Sequence, residues 1–196
     1  RDGLVTGVQT CALPISTIAA MMRHRNENEA SHILTIEDPI EYNHPNALSI
    51  INQREIGQDT LSYANALKQS LREAPDIVVI GECRDRETME ASIQLAGTGQ
   101  LAISTLHANN AHQTMDRIIN MFPEQMHKQL LLDLSINLRA IVSQRLVMGK
   151  NGRRLAAVEI MMNTPHISDL ILKGQIDRIR EAMEESSEPG MQSFDE

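Results

Sequence analysis

The stretch that decides the fold occupies residues 71–85 and reads LREAPDIVVIGECRD. At its centre is an unbroken apolar run, residues 77–80, followed at once by Gly81 and Glu82. A short apolar run of this kind is typical of a strand that is buried on both faces, as in a parallel sheet. Such a strand ends at the edge where open α/β sheets bind their ligands. Glu82 is therefore a candidate general base or a carboxylate beside a metal; alternatively, the charges after the strand only cap the next helix.

Composition limits the classes of protein to which the chain can belong. Its 196 residues are enough for one domain with a core, and 41% are hydrophobic while only 2% are aromatic. The 11 methionines mostly lie at helical spacing among Leu and Ile, which favours core packing over a methionine-lined partner groove. The formal net charge of −8 argues against a nucleic-acid-binding surface. The sequence contains no run of about 18 apolar residues, so it predicts no membrane span. Its two cysteines lie far apart, which fits a reduced, cytoplasmic protein.

A second predicted strand end carries a cluster of acidic residues. The apolar residues 33–36 are followed by Glu37, Asp38, Pro39 and Glu41. Pro39 cannot donate a ladder hydrogen bond, so the strand ends there. Three carboxylates within five residues would repel one another, so a cation or an arginine is expected nearby. The alternative is an acidic turn exposed to solvent.

Helix and strand signals alternate along the rest of the chain. Periodicity and breakers predict helices over residues 17–25, 61–73, 86–96, 111–121, 124–142, 167–172 and 176–185. Strands are predicted over residues 33–36, 77–80 and 101–106, a weaker one within 46–56, and a hairpin of 143–148 with 154–161. Thr60 and Asp85 are the predicted N-caps of the second and third helices. In the second helix, Leu61, Ala64, Leu67 and Leu71 form the apolar stripe.

Residues 71–85 resemble the signature of the type II and type IV secretion and pilus ATPases. That signature reads Leu-Arg, two residues, Pro-Asp, an apolar run, Gly-Glu, an apolar residue and Arg-Asp. Only Cys83 departs from it, because an aliphatic residue is usual there. The likeness extends over about residues 17–196 and is to the PilT/PilU group, the pilus retraction ATPases that power twitching motility. Residues 115–146 and 156–163 resemble the PilU side of that group.

The resemblance implies a fold and an activity. The fold is a RecA-like α/β core, a mainly parallel sheet flanked by helices, with a C-terminal antiparallel hairpin and helices. The activity is hydrolysis of ATP with Mg²⁺ by a homo-hexameric ring. The ring would lie in the cytoplasm, at the inner-membrane face of the pilus machinery, and would not bind nucleic acid.

The resemblance also implies roles for individual residues. Glu82 would orient or deprotonate the attacking water. Glu37, Asp38 and Glu41 match the family's Asp box beside the nucleotide, and Glu37 and Glu82 would contact magnesium indirectly. His107, together with Thr105, would sense the γ-phosphate. Arg84 is a predicted cofactor-binding residue, and it would also set the turn after the strand and form local ion pairs.

Residues 98–109 resemble the family's His box, which carries two histidines. His107 matches the second histidine, but Gln100 stands at the place of the first. Glutamine can form hydrogen bonds but cannot carry a proton, so the resemblance does not extend to a proton-carrying role at position 100. Without the resemblance, a lone histidine after a strand is more often a hydrogen-bonded structural residue.

The N-terminal residues 1–15, RDGLVTGVQTCALPI, show neither a helical nor a strand period and lack the features of a signal peptide. Residues 5–15 resemble the translation of a common sequencing adapter. We therefore expect a non-native segment, residues 1–15, before a truncated C-terminal motor domain, residues 16–196, that lacks the family's N-terminal domain. A genuine but unusual leader is the alternative.

The boundary between residues 1–15 and the predicted motor domain falls at the place of the family's phosphate-binding loop. In the family, a glycine-rich loop ending Gly-Lys-Ser-Thr precedes a helix that is matched here by residues 17–21. Counting back from Thr17, Pro14 stands at the lysine position and Ile15 at the magnesium-binding hydroxyl. Such a loop needs glycine, lysine and a hydroxyl to hold phosphates and Mg²⁺. We expect the chain as written to bind ATP poorly and to hydrolyse none at a useful rate.

Two other functions stay open. Pilus extension and type II secretion ATPases belong to the same family and often carry a four-cysteine zinc module after the His box, whereas no cysteine follows Cys83 here. The other is a non-catalytic ring subunit that contributes interfaces alone. The gene's own sequence before Thr17 discriminates between a motor and such a subunit, because an intact phosphate loop favours the motor.

Overall fold

The structure is a computed structural model that describes residues 4–8 and 13–194. In chain order its elements are β1 (Leu4–Val8), α1 (Leu13–Asn28), β2 (His32–Glu37), β3 (Ile50–Glu55), α2 (Tyr63–Glu73), β4 (Ile77–Ile80), α3 (Arg86–Gly97), β5 (Leu101–Leu106), α4 (Ala111–Asn120), α5 (Glu124–Asn137), β6 (Leu138–Met148), β7 (Arg154–Met162), α6 (Pro165–Leu172), a 3₁₀ turn (Ile176–Arg178) and α7 (Ile179–Glu184). Among the helices within residues 13–194, none is long and apolar enough to span a bilayer.

All described strands belong to one sheet in the order β3-β2-β4-β5-β1-β6-β7. Neighbouring strands are parallel from β3 to β6, and β7 pairs antiparallel with β6. The prediction of a mainly parallel sheet flanked by helices, with a C-terminal antiparallel hairpin, is therefore confirmed. The connections place the ends of β2, β4 and β5 side by side at one edge of the sheet.

The central strand β4 is buried on both faces, as its apolar run predicted. Val78 and Ile80 pack with Leu67 of α2 on one face of the sheet. Ile77 and Val79 pack with Met22 of α1 on the opposite face. Because alternate residues of a strand point to opposite faces, a strand covered on both sides needs an apolar side chain at every position.

A third and larger cluster joins the C-terminal helices to the hairpin. It contains four buried methionines that fill space among Leu and Ile, namely Met89, Met115, Met161 and Met183. Met21 and Met148 are instead exposed. The buried methionines follow the prediction of core packing, since an unbranched thioether fits irregular gaps in a core with few aromatic rings.

The fifth helix is shorter than predicted. It ends at Asn137, and residues 138–142, which carry Leu138 and Ile141, begin strand β6 instead of continuing the helix. The apolar spacing that suggested a helix arises because both residues are buried in a strand that is paired on each side. Asn163 accommodates the change of direction, since its side-chain amide donates to the carbonyls of Ser135 and Leu138 at 3.0 and 2.8 Å. Tertiary pairing has overridden the local period.

The start of α2 also differs from the prediction. Ser62, not Thr60, is the N-cap, and its hydroxyl accepts a hydrogen bond from the backbone N–H of Asn65. Thr60 directly follows a turn, forms an isolated bridge with Ile56, and accepts from the N–H of Gly57 through its carbonyl. Leu61 therefore precedes the helix and is 85% exposed, and Leu71 is exposed as well, so neither belongs to the buried stripe, whereas Ala64 and Leu67 do. The predicted cap of α3 is confirmed, because Asp85 accepts from the N–H of Thr88 at 2.8 Å.

The N-terminal segment forms elements that its sequence does not signal. Residues 4–8 form β1 between β5 and β6, and α1 begins at Leu13, four residues earlier than predicted. Proline is tolerated in the first turn of a helix, so Pro14 does not prevent this early start. The prediction that this segment lacks regular structure, which was based on the absence of a strand period, is therefore wrong for residues 4–8. A strand can pair through its backbone with suitable neighbours whatever its side-chain period.

Candidate active site

One cavity of about 280 Å³ opens at the edge of the sheet where β2, β4 and β5 end. The structure brings together around it all seven residues that the sequence singled out: Glu37, Asp38, Glu41, Glu82, Arg84, Thr105 and His107. These residues follow or end three neighbouring parallel strands, and such strands deliver their carboxyl ends to one place. The apolar side chains of Ile15, Ile18, Ala19 and Met22 of α1 line the opposite side.

Glu82 lies directly after β4 and is held between two basic side chains. Its Oε1 lies 2.7 Å from Nε2 of His107, and its Oε2 lies 2.5 Å from Nη2 of Arg84. The Glu82 side chain is only 16% exposed, whereas Arg84 and His107 both reach solvent. Both carboxylate oxygens therefore have a partner, and the arrangement fixes the orientation of the group.

The charge state of Glu82 follows from these contacts. Burial by itself would raise the pKa of Glu82, but the hydrogen bond from Arg84 and the attraction of His107 and Arg84 outweigh burial and lower it. The carboxylate is therefore ionised at neutral pH. An ionised carboxylate can orient a water molecule or accept its proton.

Gly81 and Thr105 shape the turn that presents Glu82. A Cβ on Gly81 would lie 3.1 Å from the Tyr63 hydroxyl and 3.3 Å from the carbonyl of Ile36, so the site has little space for a side chain. Thr105 donates its hydroxyl to the carbonyl of Gly81 at 2.5 Å, and its own carbonyl accepts from the N–H of Cys83 at 3.0 Å. The Thr105 hydroxyl therefore braces the turn as it stands in this structure.

Cys83, the one departure from the signature, behaves as a small hydrophobic residue. It is 2% exposed and belongs to the large core cluster. Burial, followed by the nearby charges of Asp85 and Glu82, raises the pKa of its thiol to about 12. The thiol is therefore un-ionised at neutral pH and fills the place of an aliphatic side chain.

The acidic cluster after β2 divides into one anchored and two exposed carboxylates. Glu37 accepts hydrogen bonds from the Thr35 hydroxyl at 2.6 Å and from the Gln53 amide at 3.2 Å. Asp38 and Glu41 are exposed on the rim of the cavity. The expected basic neighbour is present as Arg84, but its guanidinium pairs with Glu82.

Tyr63 is a lining residue that the sequence analysis missed. Both tyrosines of the chain, Tyr42 and Tyr63, line this cavity. Burial, followed by the negative charges of Asp38 and Glu82, raises the pKa of Tyr63 to about 12, so its hydroxyl remains a donor at neutral pH. With only two tyrosines in 196 residues, their positions after the acidic cluster and in the first turn of α2 were a usable signal.

The structure separates Gln100 from His107. Gln100 precedes β5, whereas His107 follows it, and the six residues of the strand span about 20 Å. Gln100 is accordingly not among the residues that line the cavity. Its side-chain oxygen lies 3.4 Å from the Thr98 hydroxyl instead. The two positions of the His-box resemblance therefore lie at opposite edges of the sheet within this chain.

Comparisons with known proteins match most of the chain. The profile described as type II/IV secretion system protein matches residues 12–169. The type IV pilus ATPase PilU of Pseudomonas aeruginosa is 49% identical over 100% of this chain and 52% of its own length. The type II secretion system protein E of Xanthomonas campestris pv. campestris is 40% identical over 74% of this chain and 24% of its own length.

The fold agrees with these sequence comparisons. A crystal structure of the pilus retraction motor PilT with bound ADP superimposes with a TM-score of 0.89 and 40% sequence identity. The match covers 93% of this chain and 54% of that one. The chain thus spans about half the length of PilU and of the PilT structure.

Proposed function

The chain belongs to the type II/IV secretion system protein family, and we propose that it is the motor part of an ATPase for type IV pilus retraction, the motor of twitching motility. The observation that carries the proposal is the ionised, oriented Glu82 at the end of β4, held by His107 and Arg84 at the mouth of the cavity. The names of PilU and of the PilT structure support the choice of pilus retraction within the family.

We call the residues at the ends of β2, β4 and β5 the carboxylate side of the cavity, and the proposal gives roles to its acidic residues and to His107. Glu82 orients the attacking water and takes its proton. His107 contacts the γ-phosphate, and its bond to Glu82 couples the two groups. Glu37, Asp38 and Glu41 would lie near magnesium and the attacking water, and would supply negative charge beside them. Phosphoryl transfer depends mainly on such positioning and on charge neutralisation.

Magnesium ATP fits the two sides of the cavity unequally. When bound, magnesium would supply positive charge that neutralises the phosphate groups. Glu82 fits only an indirect contact to it, since both of its oxygens already have basic partners. Glu37 accepts both of its hydrogen bonds on Oε1, and it too would contact magnesium through water. Within the described part of the chain, no group of three or more His, Cys, Asp or Glu side chains is arranged to hold a metal.

The opposite side of the cavity, lined by α1, is where the family resemblance places the phosphate groups, and we call it the phosphate side. It does not fit a nucleotide. Pro14 and Ile15 stand where a lysine and a hydroxyl are needed, and α1 presents apolar side chains to the cavity. Among the described lining residues, four carboxylates outnumber the basic side chains, which are those of Arg84, His44 and His107, so a polyphosphate would meet net repulsion. The chain as written accordingly binds ATP weakly and hydrolyses none at a useful rate.

The native protein would act as a homo-hexameric ring in the cytoplasm, at the inner-membrane face of the pilus machinery. The support for this assembly and location is the family resemblance. Residues 1–15 would be foreign to the native gene, as their likeness to adapter sequence suggests. Sequencing the gene from genomic DNA tests this point, because it predicts codons for a Gly-Lys-Ser/Thr loop directly before Thr17.

A pilus extension or type II secretion ATPase is the second candidate within the family. The match to the type II secretion system protein E reaches 74% of the chain, whereas the match to PilU covers 100%. The fuller match favours retraction. Complementation of a retraction-deficient strain by the full-length gene, and not of an extension-deficient one, is the expected outcome.

Restoring the phosphate loop tests the proposed activity. Residues 8–16 are replaced by glycine, four residues and Gly-Lys-Ser-Thr, and ATP hydrolysis is measured as released phosphate. We expect turnover at least about 100-fold above that of the chain as written, because positioning and charge neutralisation supply most of the rate.

In the restored chain, Glu82→Gln should remove turnover while ATP binding persists. Glu87→Gln, at an exposed carboxylate of α3 that pairs with Lys68, is the matched control and should leave turnover unchanged. Binding of ATP without hydrolysis in the restored chain would refute the motor and favour a non-catalytic ring subunit.

A further inference from the structure

The loop that carries His107 is fixed by side chains from outside it. We call residues 107–110 the His107 loop. Arg117 of α4 donates to the carbonyl of His107 at 2.9 Å, and Arg145 of β6 donates to the carbonyl of Asn109 at 2.9 Å. Gln113 accepts from the N–H of Asn109 at 3.1 Å. These hydrogen bonds therefore fix the backbone at His107 and at Asn109.

The hairpin presents Arg145 and a second anchoring side chain, Glu159, from one face. Arg145 is paired with Ala157 and Ser143 with Glu159 in the antiparallel register, so Arg145 and Glu159 point to the same side of the hairpin. Buried Glu159 accepts from the N–H of Ala111 at 2.7 Å, directly after the His107 loop. A carboxylate at the N-terminus of α4 is also favoured by the helix dipole. One strand pair thus holds both a carbonyl and an N–H of the segment that follows His107.

The C-terminal segment covers Arg145 from the other side. Gln192 exchanges two backbone hydrogen bonds with Ile160 on the outer edge of β7, at 2.8 and 3.0 Å. This bridge fixes the chain two residues before Phe194. The guanidinium of Arg145 lies 4.3 Å from the centre of the Phe194 ring, which is the distance of a cation–π contact. Phe194 therefore restricts the orientation in which Arg145 reaches Asn109.

We propose that Arg145 is a positioning residue for His107, and that Phe194 of the C-terminal segment holds Arg145 in place. Arg145 touches neither Glu82 nor the cavity, and it acts through the backbone of the His107 loop. By fixing that backbone, it keeps the imidazole of His107 within bonding distance of Glu82. The catalytic meaning of this contact rests on the proposed function, but the geometric claim requires no hydrolysis.

Histidine NMR on the chain as written tests the proposal. The ring signals of a ¹⁵N-labelled sample report on the bond between His107 and Glu82, and His107→Asn identifies the His107 signal. Arg145→Gln should move that signal toward the position of a free imidazole, while His24 and His166 stay unchanged. Arg145→Lys, which keeps a cation that can donate to Asn109, should restore part of the shift. Phe194→Leu should move the signal in the same direction by a smaller amount.

Hydrogen exchange supplies the second readout. Arg145→Gln should accelerate exchange at the amides of Asn109 and Ala111 by about three- to tenfold, which corresponds to losing the net stabilisation that one hydrogen bond provides. Arg154→Gln, at the far end of the same hairpin, is the matched control and should change neither readout.

Two results would overturn the proposal. The first is a His107 signal that Arg145→Gln leaves in place, even if exchange accelerates, because Arg145 would then be a structural brace alone. The second is an equal shift of His24 and His166, which would indicate a global change. Failure of the loop-restored chain to hydrolyse ATP would count against the proposed function and would leave these two readouts unaffected.

Discussion

The two sides of the cavity differ in whether they carry the polar side chains that ATP hydrolysis requires. On the carboxylate side, β2, β4 and β5 deliver Glu37, Glu82 and His107 to one edge of the sheet, with each oxygen of Glu82 paired. On the phosphate side, β1 and α1 occupy places in the same sheet and layer, but Pro14 and Ile15 stand where the phosphate-binding groups belong.

This difference separates the requirements of a fold from those of a site. A strand joins a sheet through backbone hydrogen bonds, so residues 4–8 can pair with β5 and β6 without any particular side chain. Binding of phosphate needs glycine at set positions, a lysine and a hydroxyl. A segment can therefore complete the architecture and still leave the chemistry incomplete.

The largest expected effect on stability comes from truncating an apolar side chain on each of the two sides. Ile80→Ala removes a fully buried side chain at the end of β4 and should lower the free energy of unfolding by about 3 kcal/mol. Ile15→Ala, on the half-exposed lining of α1, should cost less than about 1 kcal/mol. Urea denaturation followed by circular dichroism measures both. Equal losses of stability would show that the two sides of the cavity are packed alike.

A smaller effect is expected at the turn that presents Glu82. Gly81→Ala places a Cβ against the Tyr63 hydroxyl and the carbonyl of Ile36, and overpacking of this kind should cost about 2 kcal/mol. Gly97→Ala is the matched control, since its nearest contact, at 3.7 Å, is ordinary and alanine suits a helix. That control should be neutral or stabilising by up to about 1 kcal/mol. Thermal denaturation of both variants decides whether the turn is as tight as the structure indicates.

The sequence predicted which residues meet at the carboxylate side because the signals for their positions are local, whereas their catalytic roles stay predictions. The apolar run of β4 followed by Gly81 and Glu82 marks a strand end, and strand ends of a parallel sheet meet by topology. The helix end at Asn137 could not be predicted, because the strand that follows is defined by partners on both sides. The contacts of Arg145 with Asn109 and Phe194 were equally inaccessible, since they join residues 36 and 49 positions apart.

The smallest expected effect is a pH dependence on the carboxylate side. The pKa of Glu82 is lowered in the folded chain, so its stabilising contribution is present above the unfolded pKa and is lost as pH falls through the folded pKa. Glu82→Gln should therefore lower the free energy of unfolding by roughly 1 kcal/mol at pH 7, and this loss should shrink below about pH 4.

The matched control for this pH dependence is Glu41→Gln, at an exposed carboxylate on the same rim. It should change the free energy of unfolding by less than about 0.5 kcal/mol at either pH. Denaturant titrations at pH 7 and pH 3.5 make the comparison. A loss at Glu82→Gln that does not vary with pH would contradict the assigned ionised carboxylate.

The most direct test of the central claim is the ATP affinity of two chains, measured by titration calorimetry with Mg²⁺ present. One chain is the protein as written, and the other carries the restored phosphate loop at residues 8–16. We expect no saturable binding by the first up to about 1 mM ATP and micromolar binding by the second, a difference of about 4 kcal/mol or more. Micromolar binding by the chain as written would contradict the account, because phosphate would then be held without the lysine, the glycines and the hydroxyl.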